Sequence, residues 1–102
     1  MDITFASKQL EKDCNADKRL IRAYGAENAQ RIRRRLDEMR AAPSLEYLRT
    51  LPQCECHELT GDRKGQFSVS VKHPYRLIFV PAHHPIPQKE SGGTDWTAVT
   101  AV

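Results

Sequence analysis

Cationic side chains fall in one part of this chain at positions where parity and turn placement suggest a contact with an anion. Tyr75 to Val80 alternates as a strand, with Tyr75, Leu77 and Phe79 on one face and Arg76, Ile78 and Val80 on the other. A lone arginine among apolar strand residues is costly to bury unless it is paired or functional. Arg76 is therefore expected to point away from the helices, onto an uncovered sheet face beside Ser68 and Ser70 of the preceding strand. The plain alternative is that it pairs with a carboxylate. Arg63 and Lys64 occupy the loop at one strand end, and Lys72 and His73 the turn at the other. Such a face could hold an extended anion.

Cys54-Glu55-Cys56-His57 invites a metal reading, because thiolate and imidazole suit zinc. A strand would put the two cysteines on one face and His57 on the other, and no second ligand pair has standard spacing, so two small core residues and no metal are expected. His57 is more plausible in proton transfer, since an imidazole titrates near neutrality, although a purely structural role is as good a reading. There is no nucleophile elbow, phosphate-binding Walker loop, dinucleotide fingerprint or zinc-protease motif. The remaining inventory suits RNA cleavage, in which the substrate's own 2′-OH attacks the adjacent phosphate. A protein need only align the attack, move protons and stabilise charge, without cofactor or metal. Arginines can do the last but make poor bases.

The elements that must position these residues follow from periodicity. Met1–Phe5 alternates as a short N-terminal strand. Ser7 can cap a first helix that reaches Tyr24-Gly25, with Asn15-Ala16-Asp17 able to interrupt it. Ala29, Ile32, Leu36 and Met39 then form one apolar stripe of a second helix that Pro43 ends. Residues 44–49 read as a capped helical turn. Cys54–Leu59, Gln66–Val71 and Tyr75–Val80 read as an antiparallel meander. An exposed, mobile connection over 81–93 precedes a last strand that begins at Thr94. The expected architecture is α+β, two helices packed on one face of a small antiparallel sheet.

The chain has 102 residues, which suits a single domain over 1–102 with a thin core and no large enclosed cavity. Sixteen Lys and Arg face thirteen Asp and Glu, a formal +3 that favours polyanionic partners. Eight of the cations, among them Arg31, Arg34 and Arg35, lie between residues 18 and 40. These are a solvated helix face on the bland reading and a phosphate-tracking surface on the functional one. The longest apolar run, Leu77 to Ala82, cannot cross a bilayer, so no membrane contact is expected. Three cysteines, an odd number, suit reduced thiols in the cytoplasm.

Four stretches carry a family resemblance: Arg35–Ala42, Ser44–Arg49, His57–Ser68 and Tyr75–Phe79, the third with an L-x-G-x-R-x-G-x-x-S pattern and the last with R-L-x-F. In this order and spacing they resemble a HigB-type killer toxin of the RelE/ParE superfamily. The resemblance covers about residues 1–80 and implies a RelE-like fold. It also implies the toxin of a type II toxin–antitoxin module, an mRNA interferase that cleaves translated mRNA in the ribosomal A site. A HigA-like helix-turn-helix antitoxin would neutralise it, and operator DNA would be met only through that antitoxin. By position, Arg76 and Arg63 correspond to the family's phosphate-contacting arginines, with His57 a weaker catalytic match. Lys64, Lys72, His73, Arg31, Arg34 and Arg35 would hold ribosomal or messenger RNA. Family members end in a strand with an acidic residue and a Tyr-His or similar pair, whereas this sequence stops at Ala101-Val102. Either the last strand is truncated or shortened, or another residue transfers the proton. Two other readings are a ParE-like toxin that binds gyrase, and a non-catalytic homologue kept as an antitoxin-binding module.

Overall fold

A computed structural model describes residues 1–102 and shows an α+β fold of four helices and one three-stranded antiparallel sheet. Helix α1 spans Lys8–Cys14, and the Ser7 hydroxyl accepts the Leu10 N–H at its start. Asn15 closes α1, so the interruption at Asn15-Ala16-Asp17 is real and splits the first expected helix in two. Helix α2 covers Asp17–Tyr24 and α3 covers Ala26–Ala41. The single residue between them is Gly25, at φ 83° and ψ 159°, a conformation costly for any residue with a Cβ. That glycine lets α3 fold straight back along α2. Helix α4 is short, Leu45–Arg49, and Ser44 flanks it without a side-chain capping bond.

The sheet runs β1 (His57–Glu58), β2 (Phe67–Ser70) and β3 (Arg76–Phe79), with β2 central. Strand β1 is much shorter than the Cys54–Leu59 alternation suggests. Pro52–Cys54 forms a 3₁₀ turn, and Glu55 is left-handed at φ 44°, so extended pairing starts only at His57. Strand β3 lies at the opposite edge between Pro74 and Pro81. Met1–Phe5 is extended but pairs with the end of the chain, through the parallel bridge Asp2↔Ala101, and not with this sheet. Residues 94–102 form a 3₁₀ turn, Trp96–Ala98, between two isolated bridges in place of one continuous strand. The 81–93 connection is exposed along most of its length but is held: Lys89 and Gly93 close a turn, Ala82 N–H donates to Ala101, and His83 Nε2 accepts from Thr100 N–H.

Two apolar clusters fill one side of the sheet. Cys14, Leu20, Ala29, Ile32, Leu36 and Val71 form one, and Met39, Leu45, Leu48, Phe67, Val69 and Val99 carry most of the other. Ile3 and Leu77 touch both and make them continuous. Helix α3 supplies the helical stripe read from the sequence, while Arg35, off that stripe and expected to contact RNA, is buried at 6% exposure. This corrects its assignment. Its Nε donates to the Ser70 carbonyl (2.8 Å) and its Nη1 to Glu38 Oε1 (2.7 Å). An arginine's long stem lets the flank of a helix reach under a sheet, and pairing with the Glu38 carboxylate and the Ser70 carbonyl makes that burial tolerable.

Burial alone would raise the Glu38 pKa, but hydrogen bonds from Gln53 and Arg35 and the Arg35 charge outweigh it and hold the carboxyl below its ordinary value. Its stabilising contribution is therefore present above the ordinary carboxylate range and fades as pH falls through the lowered value. Glu38→Gln should flatten the acid limb of stability against pH, measured by urea unfolding. By the same measurement Arg35→Ala should cost about 3 kcal/mol, while the exposed Arg34→Ala stays within about 0.5 kcal/mol.

Candidate functional site

Because helices cover only the face of Phe67, Val69 and Leu77, the opposite face of the sheet stays open. The register pairs His57 with Ser68, Ser68 with Ile78, and Ser70 with Arg76, so these five side chains share that face. Arg76 is exposed and lies back across β2. Its Nε donates to Ser68 Oγ (2.7 Å) and its Nη2 donates to the Glu55 carbonyl. The left-handed turn at Glu55 precedes β1 and leaves that carbonyl within reach of the guanidinium. Ser68 is 1% exposed beneath this contact, so the arginine covers the residue that orients it. No carboxylate pairs with Arg76, and its Nη1 hydrogens have no partner within the chain. The result is a held, uncompensated positive charge facing solvent.

His57 is exposed on the edge strand next to Ser68, with no side-chain hydrogen bond of its own. Arg63 and Lys64 sit in the β1–β2 loop, also exposed, where Arg63 Nε donates to Gln66 Oε1 (3.1 Å). The Glu58 carboxylate accepts the Gly65 N–H and closes this loop onto β1. Lys72 and His73 are exposed in the β2–β3 turn at the far end. Lys72 is not free there, since its Nζ lies 3.2 Å from Glu27 Oε2. The other oxygen of Glu27 takes Arg31 (3.4 Å), and Asn28 Oδ1 accepts the Lys72 N–H. These contacts dock the start of α3 on the turn, while both cations keep about half of their side-chain surface exposed. Arg34 is exposed and unpaired, but on the helical layer, on the other side of the sheet from Arg76. The structure thus brings Arg76 and His57 together, leaves Arg63 and Lys64 at their margin, and separates Arg31, Arg34 and Arg35 from them.

Beside β1 a groove of about 470 Å³ runs past His57, Glu55, Glu58 and Cys56 to Arg49 and Trp96. Arg49 lies over the indole of Trp96, 3.8 Å from the ring centroid, and Trp96 meets Phe67 edge-on at 4.8 Å. Sequence reasoning missed Arg49, Trp96 and Glu55. Nothing in spacing brings residue 49 to residue 96, and a left-handed glutamate is not legible from composition.

The thiols are not reactive groups. Burial pushes Cys56 up to about 11 against the opposing charges of Arg49 and Arg76. Burial and then the Glu38 carboxylate push Cys54 up to about 12, and burial also raises Cys14 against the charge of Arg33. All three belong to the core, and no cluster of three His, Cys, Asp or Glu side chains converges anywhere. Iodoacetamide at pH 8 is expected to leave the native protein unmodified and to label all three cysteines once urea unfolds it, read by mass spectrometry.

No helix is long and apolar enough to cross a membrane. A family model described as the RelE-like toxin of the type II toxin–antitoxin system HigB matches residues 3–86. No curated protein and no solved structure matches the chain.

Proposed function

Given that the chain belongs to the HigB-like family of RelE-like type II toxins, we propose that it is an endoribonuclease that cleaves translated mRNA in the ribosomal A site. The observation that carries this reading is Arg76: a guanidinium fixed by Ser68 and Glu55, without a carboxylate, on an open sheet face beside an exposed histidine. In the proposed reaction the 2′-oxygen forms a bond to phosphorus and the bond to the 5′-oxygen breaks, leaving a 2′,3′-cyclic phosphate. One proton leaves the 2′-OH and one is delivered to the departing oxygen. Arg76 stabilises the negative charge that grows on the phosphate, with donors already aimed before the substrate arrives. His57 stands on the same face as the group that can take or give a proton. Arg63 adds a second positive charge from the loop, and Lys64 and His73 contact the RNA backbone at the two strand ends.

Membership of a type II toxin family implies an antitoxin partner. We assign a HigA-like helix-turn-helix protein to that role, with operator DNA bound through it, and place the activity in the cytoplasm with ribosomes and mRNA as partners. Arg31 and Lys72 share Glu27 in exposed pairs on the helical side, away from Arg76.

Induced expression in bacteria without the antitoxin, with mapping of mRNA 5′ ends, tests the proposal. Growth arrest with in-frame cuts is expected, and Arg76→Ala should lower cutting by about 100-fold or more. Ser68→Ala should reduce it less, because the Glu55 carbonyl still holds the guanidinium. Arrest with a DNA-damage response and intact mRNA would instead identify a gyrase poison, and normal growth a non-catalytic homologue.

A further inference from the structure

The groove beside β1 is built differently from the phosphate face it adjoins. Glu55 belongs to both: its carbonyl receives Arg76 and it lines the groove together with Glu58 and His57. Two carboxylates make this a poor place for a phosphate, while a planar cation on an aromatic ring makes a good place for a base. One side of the Arg49 guanidinium rests on Trp96, and its Nη2 lies 3.3 Å from Glu46 Oε2, which restrains its swing. The side chain still keeps 48% of its surface exposed, at the mouth of the groove. Trp96 is held in turn by its edge-on contact with Phe67 and by the 3₁₀ turn that the Asp95 carboxylate caps. A ring entering from solvent extends a column that already exists.

We propose that Arg49 and Trp96 form a nucleobase subsite, in which a base of the RNA stacks on Arg49 while Glu55 and Glu58 accept hydrogen bonds from its exocyclic amino group. The inference rests on the nuclease reading for its substrate class and adds to it the residues that choose the sequence cut. Adenine carries an exocyclic amino donor that uracil lacks, so adenine is preferred over uracil. Trp96 lies outside the matched residues 3–86, so this half of the subsite does not come with the family pattern.

Trp96 is the only tryptophan in the chain, which gives the subsite its own reporter. Hexamers of 2′-O-methyl adenosine cannot be cleaved, so their binding can be read at constant salt by Trp96 fluorescence apart from catalysis. Saturable quenching is expected, with affinity about tenfold weaker for Arg49→Ala, for Arg49→Lys, and for an abasic hexamer of the same charge. The uridine hexamer should also bind more weakly. The lysine variant separates a planar stacking surface from a point charge. Equal binding of the abasic hexamer, wild-type affinity in Arg49→Lys, or no change in fluorescence would overturn the subsite. Failure of the nuclease reading looks different: cellular mRNA stays intact while the quenching persists. If mRNA is cut but Arg49→Ala leaves the cut positions unchanged, the nuclease stands and the subsite falls.

Discussion

The buried guanidinium of Arg35 is the tie on which the rest of this small protein depends. A charge placed between a helix and a sheet must be paired, and the network around this one links three different elements. It bonds the β2 carbonyl of Ser70 and the α3 carboxylate of Glu38, whose second oxygen accepts from Gln53 in the 3₁₀ turn. Ser70 Oγ then donates to the Gln53 carbonyl and closes the circuit. Ser70 is also the cross-strand partner of Arg76. The same residue thus anchors the sheet from below and carries the register that sets the proposed phosphate contact above.

The remaining cations divide along the plane of the sheet. Those on the helical side are mostly spent on neighbouring carboxylates, Arg31 and Lys72 on one glutamate and Arg33 on Asp17. Exposed pairs of this kind contribute little stability each, but they remove charge from the solvent face. On the open side Arg76 is held by neutral oxygens, a serine hydroxyl and two backbone carbonyls, which orient a guanidinium without cancelling it. The excess of +3 is therefore a poor guide to where an anion would bind. The chemistry of each cation's partner is the better one.

Much of the fold could be read from the sequence because its signals are local. The stripe Ala29, Ile32, Leu36 and Met39 follows helical spacing, and the alternation through Phe67 and Val69 follows the strand period. The open-face orientation of Arg76 followed from the same parity. What was not legible depends on distant partners or on single backbone angles. Arg35 looks like a surface residue until Ser70 is known to lie beneath it. Cys54 and Cys56 are both buried as parity suggests, yet the strand is broken between them by the turn at Glu55. Met1–Phe5 alternates like a strand but finds its partner at the other end of the chain.

Strand β3 carries a consequence for how the protein behaves in concentrated solution. As an edge strand it offers backbone groups that another chain could pair with, and Ile78 and Val80 lie exposed along it. Proline cannot continue such a ladder, because it lacks the N–H that pairing needs. With Pro74 before it and Pro81 after it, the edge is limited to a few residues. Arg76 adds a charge at one end of this short edge. Short length and charge thus guard the exposed edge against the strand-by-strand growth that leads to aggregates.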